Sequence, residues 1–329
     1  MCIRDSSTAK LALQDAIEHS ALASDESMGT ELAAAFPPAM QEREADAIAA
    51  HQLRGQIIAT KVANRIVNRL GLIHPFELAE EEGCSLGDLA SAFIIAERLY
   101  DVRTLWEDID AAEMSEAARL SLLSEIASGM RAQIADILRS LPAGTLPQPG
   151  VAELSAGFDT LAEQVDSLLT HEAIRRSGAI MEALTGLGAP EPLVLRTAAL
   201  FKLDGAVGIA RLATQLKVDV IATTRAFTRL GEAVGIDWVQ SAAARMEPSD
   251  PWERLLISGV ARDMQQVRLD LLAQSGDKDI ATFVEEWLAG KTNRIAQFRA
   301  LVQRARASAA PNVAMLAEIA GQARGLLGR

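Results

Sequence analysis

Apolar residues in this chain return every three or four positions. Ile58, Val62, Ile66 and Leu70 stand four apart; Leu86, Leu89, Phe93, Ala96 and Tyr100 step by three and four, as do Val260, Met264, Val267 and Leu271. That period puts each set on one face of a helix, and the face needs a second helix to bury it. No comparable series of alternating residues with hairpin turns occurs. The pattern predicts an all-α fold, a multi-helix bundle in two packed helical subdomains.

Helix ends are also marked. Ser85 followed by Asp88 has the form of a capping box. In Asp250-Pro251-Trp252-Glu253 the aspartate can cap, proline suits the first helical position, and glutamate favours the positive end of the helix dipole. Pro311 is expected to open the last helix in the same way. The run Pro142-Ala143-Gly144-Thr145-Leu146-Pro147-Gln148-Pro149-Gly150 cannot continue a helix. It is expected to divide an acidic helical subdomain, 1–141, from a second one, 151–329, with 142–150 as linker. Gly186-Leu187-Gly188-Ala189-Pro190-Glu191-Pro192 reads as an ordinary interhelical turn. The stretch from Leu89 through Tyr100-Asp101-Val102 to Trp106 is echoed from Ile221 through Gly235-Ile236 to Trp238, as a duplicated helix pair would be.

Composition supports helices. Apolar residues make up 49%, yet aromatics are only 8 Phe, 4 Trp and 1 Tyr, and a core of Ala and Leu favours helix over strand. The net charge of −12 is uneven: residues 1–190 carry 14 Lys/Arg and 29 Asp/Glu, residues 191–329 carry 18 and 15. A chain this acidic repels phosphate backbones, so no nucleic acid is expected as partner. Arg294, Arg299, Arg304 and Arg306, at mixed helical offsets without interleaved aromatics, read as a solvated face. Cys2 and Cys84 form no CxxC motif, which suits a reducing cytoplasm. The start, MCIRDSSTAK, has no apolar signal-peptide core, and no run approaches the ~20 apolar residues that span a bilayer. A soluble cytoplasmic protein without membrane partners is expected.

Motifs that carry chemistry are incomplete. The one Gly-x-Gly, Gly186-Leu187-Gly188, has Glu191 at the third position and no strand before it, so it makes no dinucleotide site. His171-Glu172 begins like HExxH, but Arg175 stands where the second histidine belongs. Asp277 and Asp279 begin like a calcium loop that needs Gly and Glu where Thr282 and Leu288 stand. His19, His51, His74 and His171 are scattered. Neither a catalytic, a cofactor-binding nor a metal-ligating residue is therefore assigned. Thr60, Asn64 and Asn68 form a polar stripe at i, i+4 and i+8. They read either as solvent-facing groups or as interhelical or interdomain contacts.

Phe36-Pro37-Pro38-Ala39-Met40-Gln41-Glu42-Arg43 runs through His51-Gln52-Leu53-Arg54 into Ile57-Ile58-Ala59-Thr60 and Asn64-Arg65-Ile66-Val67-Asn68-Arg69-Leu70-Gly71. These stretches resemble the C-terminal region of the large bacterial NAD-specific glutamate dehydrogenases. Gly83-Cys84-Ser85, Leu203-Asp204, Val234-Gly235-Ile236-Asp237-Trp238, Asp250-Pro251-Trp252 and Ala310-Pro311-Asn312 continue the likeness, while residues 130–200 match poorly. The resemblance implies the tail of an oxidoreductase that converts L-glutamate, NAD and water to 2-oxoglutarate, ammonia and NADH. It places the catalytic lysines and the nucleotide fold upstream, so no cofactor is expected in this chain and NAD belongs to the parent enzyme. The implied partners are the upstream catalytic domain of the same polypeptide and further copies in a homo-oligomer. The isolated chain is expected to be inactive, and Met1–Ser7 does not read as a natural domain start. A free-standing helical interaction module is the alternative.

Overall fold

The computed structural model describes residues 3–202, 205–308 and 311–327; Cys2, Leu203-Asp204 and Ala310 lie outside the described residues. No strand occurs among those described, and nineteen α-helices do. In order they are α1 Ile3–Glu18, α2 Gly29–Ala33, α3 Pro38–Arg43, α4 Ala45–Ala49, α5 Arg54–Leu70, α6 His74–Glu82, α7 Leu86–Leu99, α8 Val102–Ala111, α9 Glu116–Ser140 and α10 Pro147–Gln164. There follow α11 His171–Gly186, α12 Glu191–Ala199, α13 Ala206–Leu216, α14 Val220–Val234, α15 Ile236–Ala243, α16 Pro251–Ala273, α17 Ile280–Gly290, α18 Thr292–Arg306 and α19 Val313–Leu327. None is long and apolar enough to cross a membrane.

Two compact units emerge, residues 1–155 with 181–200, and residues 156–180 with 201–329. The division thus falls inside α10 and α11 rather than in the Pro/Gly run. That run ends as a helix start: the turn covers 141–146, and Pro147 and Pro149 stand in the first turn of α10, where a missing N–H is tolerated.

The first unit is assembled on α9, whose 25 residues run alongside α5, α6, α7, α8 and α12. Its inward face carries Ala118, Leu122, Ile126, Met130 and Ile134. The α5 stripe Ile58, Val62, Ile66 and Leu70 is buried, and so are Leu89, Phe93 and Ala96 of α7. Each large aliphatic side chain in these stripes contributes roughly 1.5–3 kcal/mol on burial. Gln133, buried on α9, donates to Leu200 O at 2.8 Å and accepts from the Tyr100 hydroxyl, so its amide is satisfied on both sides.

The second unit is built on α16, with α13, α14, α15 and α19 along it. Val260, Met264, Val267 and Leu271 enter one core with Phe227, Leu230, Val239, Phe298, Val302, Leu316 and Ile319. The two echoed stretches fold alike: α7 leads into α8 through Asp101 at φ 47°, and α14 into α15 through Gly235 at φ 91°. Trp106 and Trp238 are both buried.

Local capping follows the expected chemistry with one correction. Ser85 Oγ accepts from the Asp88 N–H at 3.0 Å, and Asp250 accepts from the N–H groups of Trp252 and Glu253 at 2.8 and 2.9 Å. Pro311 does not open the last helix. Asn312 does, its Oδ1 accepting from the Met315 N–H at 2.9 Å, because an amide oxygen can satisfy an orphan donor and a proline ring cannot.

Candidate functional site

Charge is concentrated where α2, α5, α7 and α8 meet. On α5, Arg65 stands next to Ile66 of the apolar stripe, so its guanidinium emerges at the edge of the core. It grips Glu31 of α2 with both terminal nitrogens, at 2.6 and 3.2 Å, a fork geometry that lysine could not reproduce. Its Nε lies 2.8 Å from Glu97 of α7. Arg103 of α8 also bonds Glu31 and comes within 3.6 Å of Glu97. Two carboxylates and two guanidinium groups thus alternate in one neutral cluster.

The two carboxylates are not equivalent. Burial pushes the Glu31 carboxyl up, but the hydrogen bonds and charges of Arg65 and Arg103 outweigh it and hold the pKa below the ordinary value. At Glu97 burial dominates and the pKa is raised. Neither Glu97 oxygen makes a well-aligned hydrogen bond among the described residues, although the Arg65 contact is short. The Arg65 contact is short but poorly aligned, so it offsets only part of the burial that raises the pKa. The guanidinium of Arg65 also sits 6.0 Å from the Phe93 ring, and Arg69, one turn on, lies 4.9 Å over Trp106 and 3.1 Å from Asp110.

A second cluster holds the other unit. Arg268 of α16 is 2% exposed and donates to Met264 O at 2.9 Å, to Asp237 at 2.7 Å and to Gln240. Its guanidinium carbon lies 3.9 Å from the centre of the Phe227 ring. Gly231 makes room for this arrangement, since a Cβ there would meet Asp237 Oδ1 at 2.4 Å.

Both clusters fasten helices, and neither pairs a nucleophile with a base. The Cys84 thiol is pushed up to about 11 by burial, with Asp88 and Glu82 adding to it, so it stays protonated at neutral pH. Among the described residues no group of three or more His, Cys, Asp or Glu could hold a metal ion.

The polar stripe singled out from the sequence lies on the other side of α5. Thr60 donates to its own helix, at Gln56 O, at 2.7 Å; Asn64 is half-buried and Asn68 exposed. Sequence reasoning passed over Arg65, Glu31, Glu97 and Arg103. The available signals were Arg65 and Arg69 four apart beside an apolar stripe, and Glu97 directly after the apolar run of α7.

A family model described as "Glutamate dehydrogenase, C-terminal" matches residues 7–324. Relatives include the NAD-specific glutamate dehydrogenase of Halomonas elongata, 26% identical over 261 residues, which covers 77% of this chain and 16% of the relative. Those of Pseudomonas aeruginosa and Mycobacterium tuberculosis are 23% and 24% identical, covering 94% and 96% of this chain and 20% of each relative. The chain therefore spans between a sixth and a fifth of the length of these curated relatives.

Proposed function

This chain belongs to the glutamate dehydrogenase C-terminal family, and on that premise we propose that it is the helical accessory domain of an NAD-dependent glutamate dehydrogenase. The observation that carries the reading is the match along residues 7–324, in relatives that are five to six times longer. The parent enzyme converts L-glutamate, NAD and water to 2-oxoglutarate, ammonia and NADH in the cytoplasm. Its catalytic groups and NAD site lie elsewhere in the polypeptide, and it works as a homo-oligomer. The accessory domain supports or regulates that catalytic part, which is its partner. Two units, each with helices fastened by arginine–carboxylate contacts, suit a scaffold.

Thr60, Asn64 and Asn68 are proposed as contacts to the catalytic part, since α5 turns them away from its apolar stripe. Asn64→Ala and Asn68→Ala should each change the stability of this chain by no more than about 0.5 kcal/mol. In the longer polypeptide each should cost about 1–3 kcal/mol, from partners left unsatisfied. Unchanged melting in both settings removes the stripe from the site.

The functional reading is tested by assaying NADH formation from glutamate and NAD with the longer polypeptide and with residues 1–329 alone. Activity in the first and none in the second is expected. A longer polypeptide that leaves glutamate untouched under conditions where it is folded overturns the reading.

A further inference from the structure

The first two turns of α16 carry an apolar face that is largely exposed among the described residues. Asp250 and Pro251 explain why the helix starts there: one caps it, the other presets its first φ. Neither role needs a tryptophan next, yet Trp252 follows and is 80% exposed, the most exposed large apolar side chain among the described residues. At about 100° per residue, Leu255, Leu256 and Gly259 share its face. Leu256 is 45% exposed, and a Cβ at Gly259 would meet nothing within 4 Å. The face ends one turn further on, where Asp263 pairs with Arg324 at 3.5 Å. It lies roughly a quarter-turn around the helix from the buried row Val260, Met264, Val267 and Leu271, and no residue from 251 to 259 is buried.

We propose that this face is a docking surface for the rest of the glutamate dehydrogenase polypeptide, with Trp252 as the side chain that enters an apolar pocket there. The proposal rests on the accessory-domain reading above and names the surface that reading lacks. Size decides between occupants. An indole and a leucine exposed to this degree offer on the order of 300 Å², well short of the roughly 800 Å² per partner that a stable association of free molecules requires. A second copy arriving from solution is therefore a poor occupant. A segment joined through the same backbone is present at about millimolar effective concentration, at which a small patch with one aromatic anchor suffices. Tryptophan is the side chain most enriched at such anchors, because one rigid ring delivers a large contact area. Relatives in which the matching region is only 16–20% of the length supply that tethered polypeptide.

Hydrogen–deuterium exchange of the peptide covering 251–259 tests this, in the longer polypeptide and in residues 1–329 alone, each as wild type and as Trp252→Ala. Glutamate-dependent NADH formation is measured on the same samples. The expected result is exchange about tenfold slower in the longer wild-type protein, with the protection lost in Trp252→Ala and peptides of α19 unchanged. Trp252→Ala should leave the melting temperature of residues 1–329 where it was, since the ring touches little. An active longer polypeptide with equal exchange in both settings overturns the docking surface while leaving the enzyme reading intact. An inactive polypeptide that still protects 251–259 counts against the enzyme reading and for the surface. Protection that rises with the concentration of residues 1–329 alone identifies a second copy as the occupant and overturns the proposal.

Discussion

Replacing Arg65 by alanine puts the charge cluster of the first unit under direct test. The change leaves Glu31, with its side chain 5% exposed, to Arg103 alone, and leaves Glu97, 2% exposed, with Arg103 at 3.6 Å. Breaking a buried pair by removing one partner costs about 3–5 kcal/mol. A ceiling applies to the Glu97 share, because Glu97 can take up a proton instead. At pH 7, about two and a half pH units above its ordinary value of 4.5, protonation costs about 3 kcal/mol at 1.36 kcal/mol per pH unit. The sign follows from a folded pKa raised above the unfolded one. Stability is full below pH 4.5 and is lost as pH rises through the folded value, so the Glu97 share of the penalty should shrink to about 1 kcal/mol at pH 5. Wild-type Glu31, whose pKa is lowered, stays ionised throughout that window. Urea unfolding should be followed in a background that keeps Trp106 as its single tryptophan. Trp238, Trp252 and Trp287 all belong to the second unit, so Trp106 reports the first. Adding Glu97→Gln to Arg65→Ala should recover most of the loss at pH 7, since the amide needs no proton. A penalty under about 0.5 kcal/mol, or one that is equal at pH 5 and pH 7, refutes the reasoning.

Other positions give equally direct expectations. Gly231→Ala should destabilise the second unit by about 1–3 kcal/mol, because the new methyl meets Asp237 and Arg268, whereas Gly321→Ala, with nothing within 4 Å, should stabilise by about 0.5–1 kcal/mol from helix propensity; thermal melts of the pair decide it, and a gain at both positions contradicts the packing around Arg268. Asp250→Ala should cost about 1 kcal/mol through loss of the α16 cap, and the loss should be recovered by Asp250→Ser. With Cys2 replaced by serine, the Cys84 thiol should react with maleimide at pH 8 roughly a hundredfold more slowly than an ordinary thiol, its rate still climbing as pH approaches 11; a plateau near pH 9 refutes the assignment of a half-buried, acid-flanked thiol.

What could be read from the sequence is what depends on neighbours along the chain. The stripe Ile58, Val62, Ile66 and Leu70 is buried on one helix face because the helix period alone dictates which residues share it. Asp250 and Ser85 cap because their oxygens reach N–H groups two or three residues ahead. The misassigned start at Pro311 is of the same local kind: Pro311 and Asn312 are both start signals, and the residue whose side chain can accept a hydrogen bond took the cap. The compact units were not readable in the same way. Residues 181–200 return to the first unit, an exchange between distant stretches that no composition break marks.

The arginine clusters show why the rest stayed hidden. Glu31 is brought to Arg65 and Arg103 across 34 and 72 residues of chain, and each charge taken alone looks like an ordinary surface charge on an amphipathic helix. Asn64 and Asn68 drew attention through regular spacing, but spacing reports only that residues share a face, and here that face lies opposite the apolar stripe with Asn64 half-buried and Asn68 exposed. Arg65, one position from Asn64, is rotated by about 100° and meets the core edge instead. That single residue step separates a group that can reach an outside partner from a group that holds four helices together. The same logic singles out Trp252: its capping neighbours are accounted for within one helical turn, and only the indole is left without a use inside the fold. The exposed ring beside fully explained residues motivates the proposed docking surface, and it is why the exchange experiment is aimed at α16 rather than at α5.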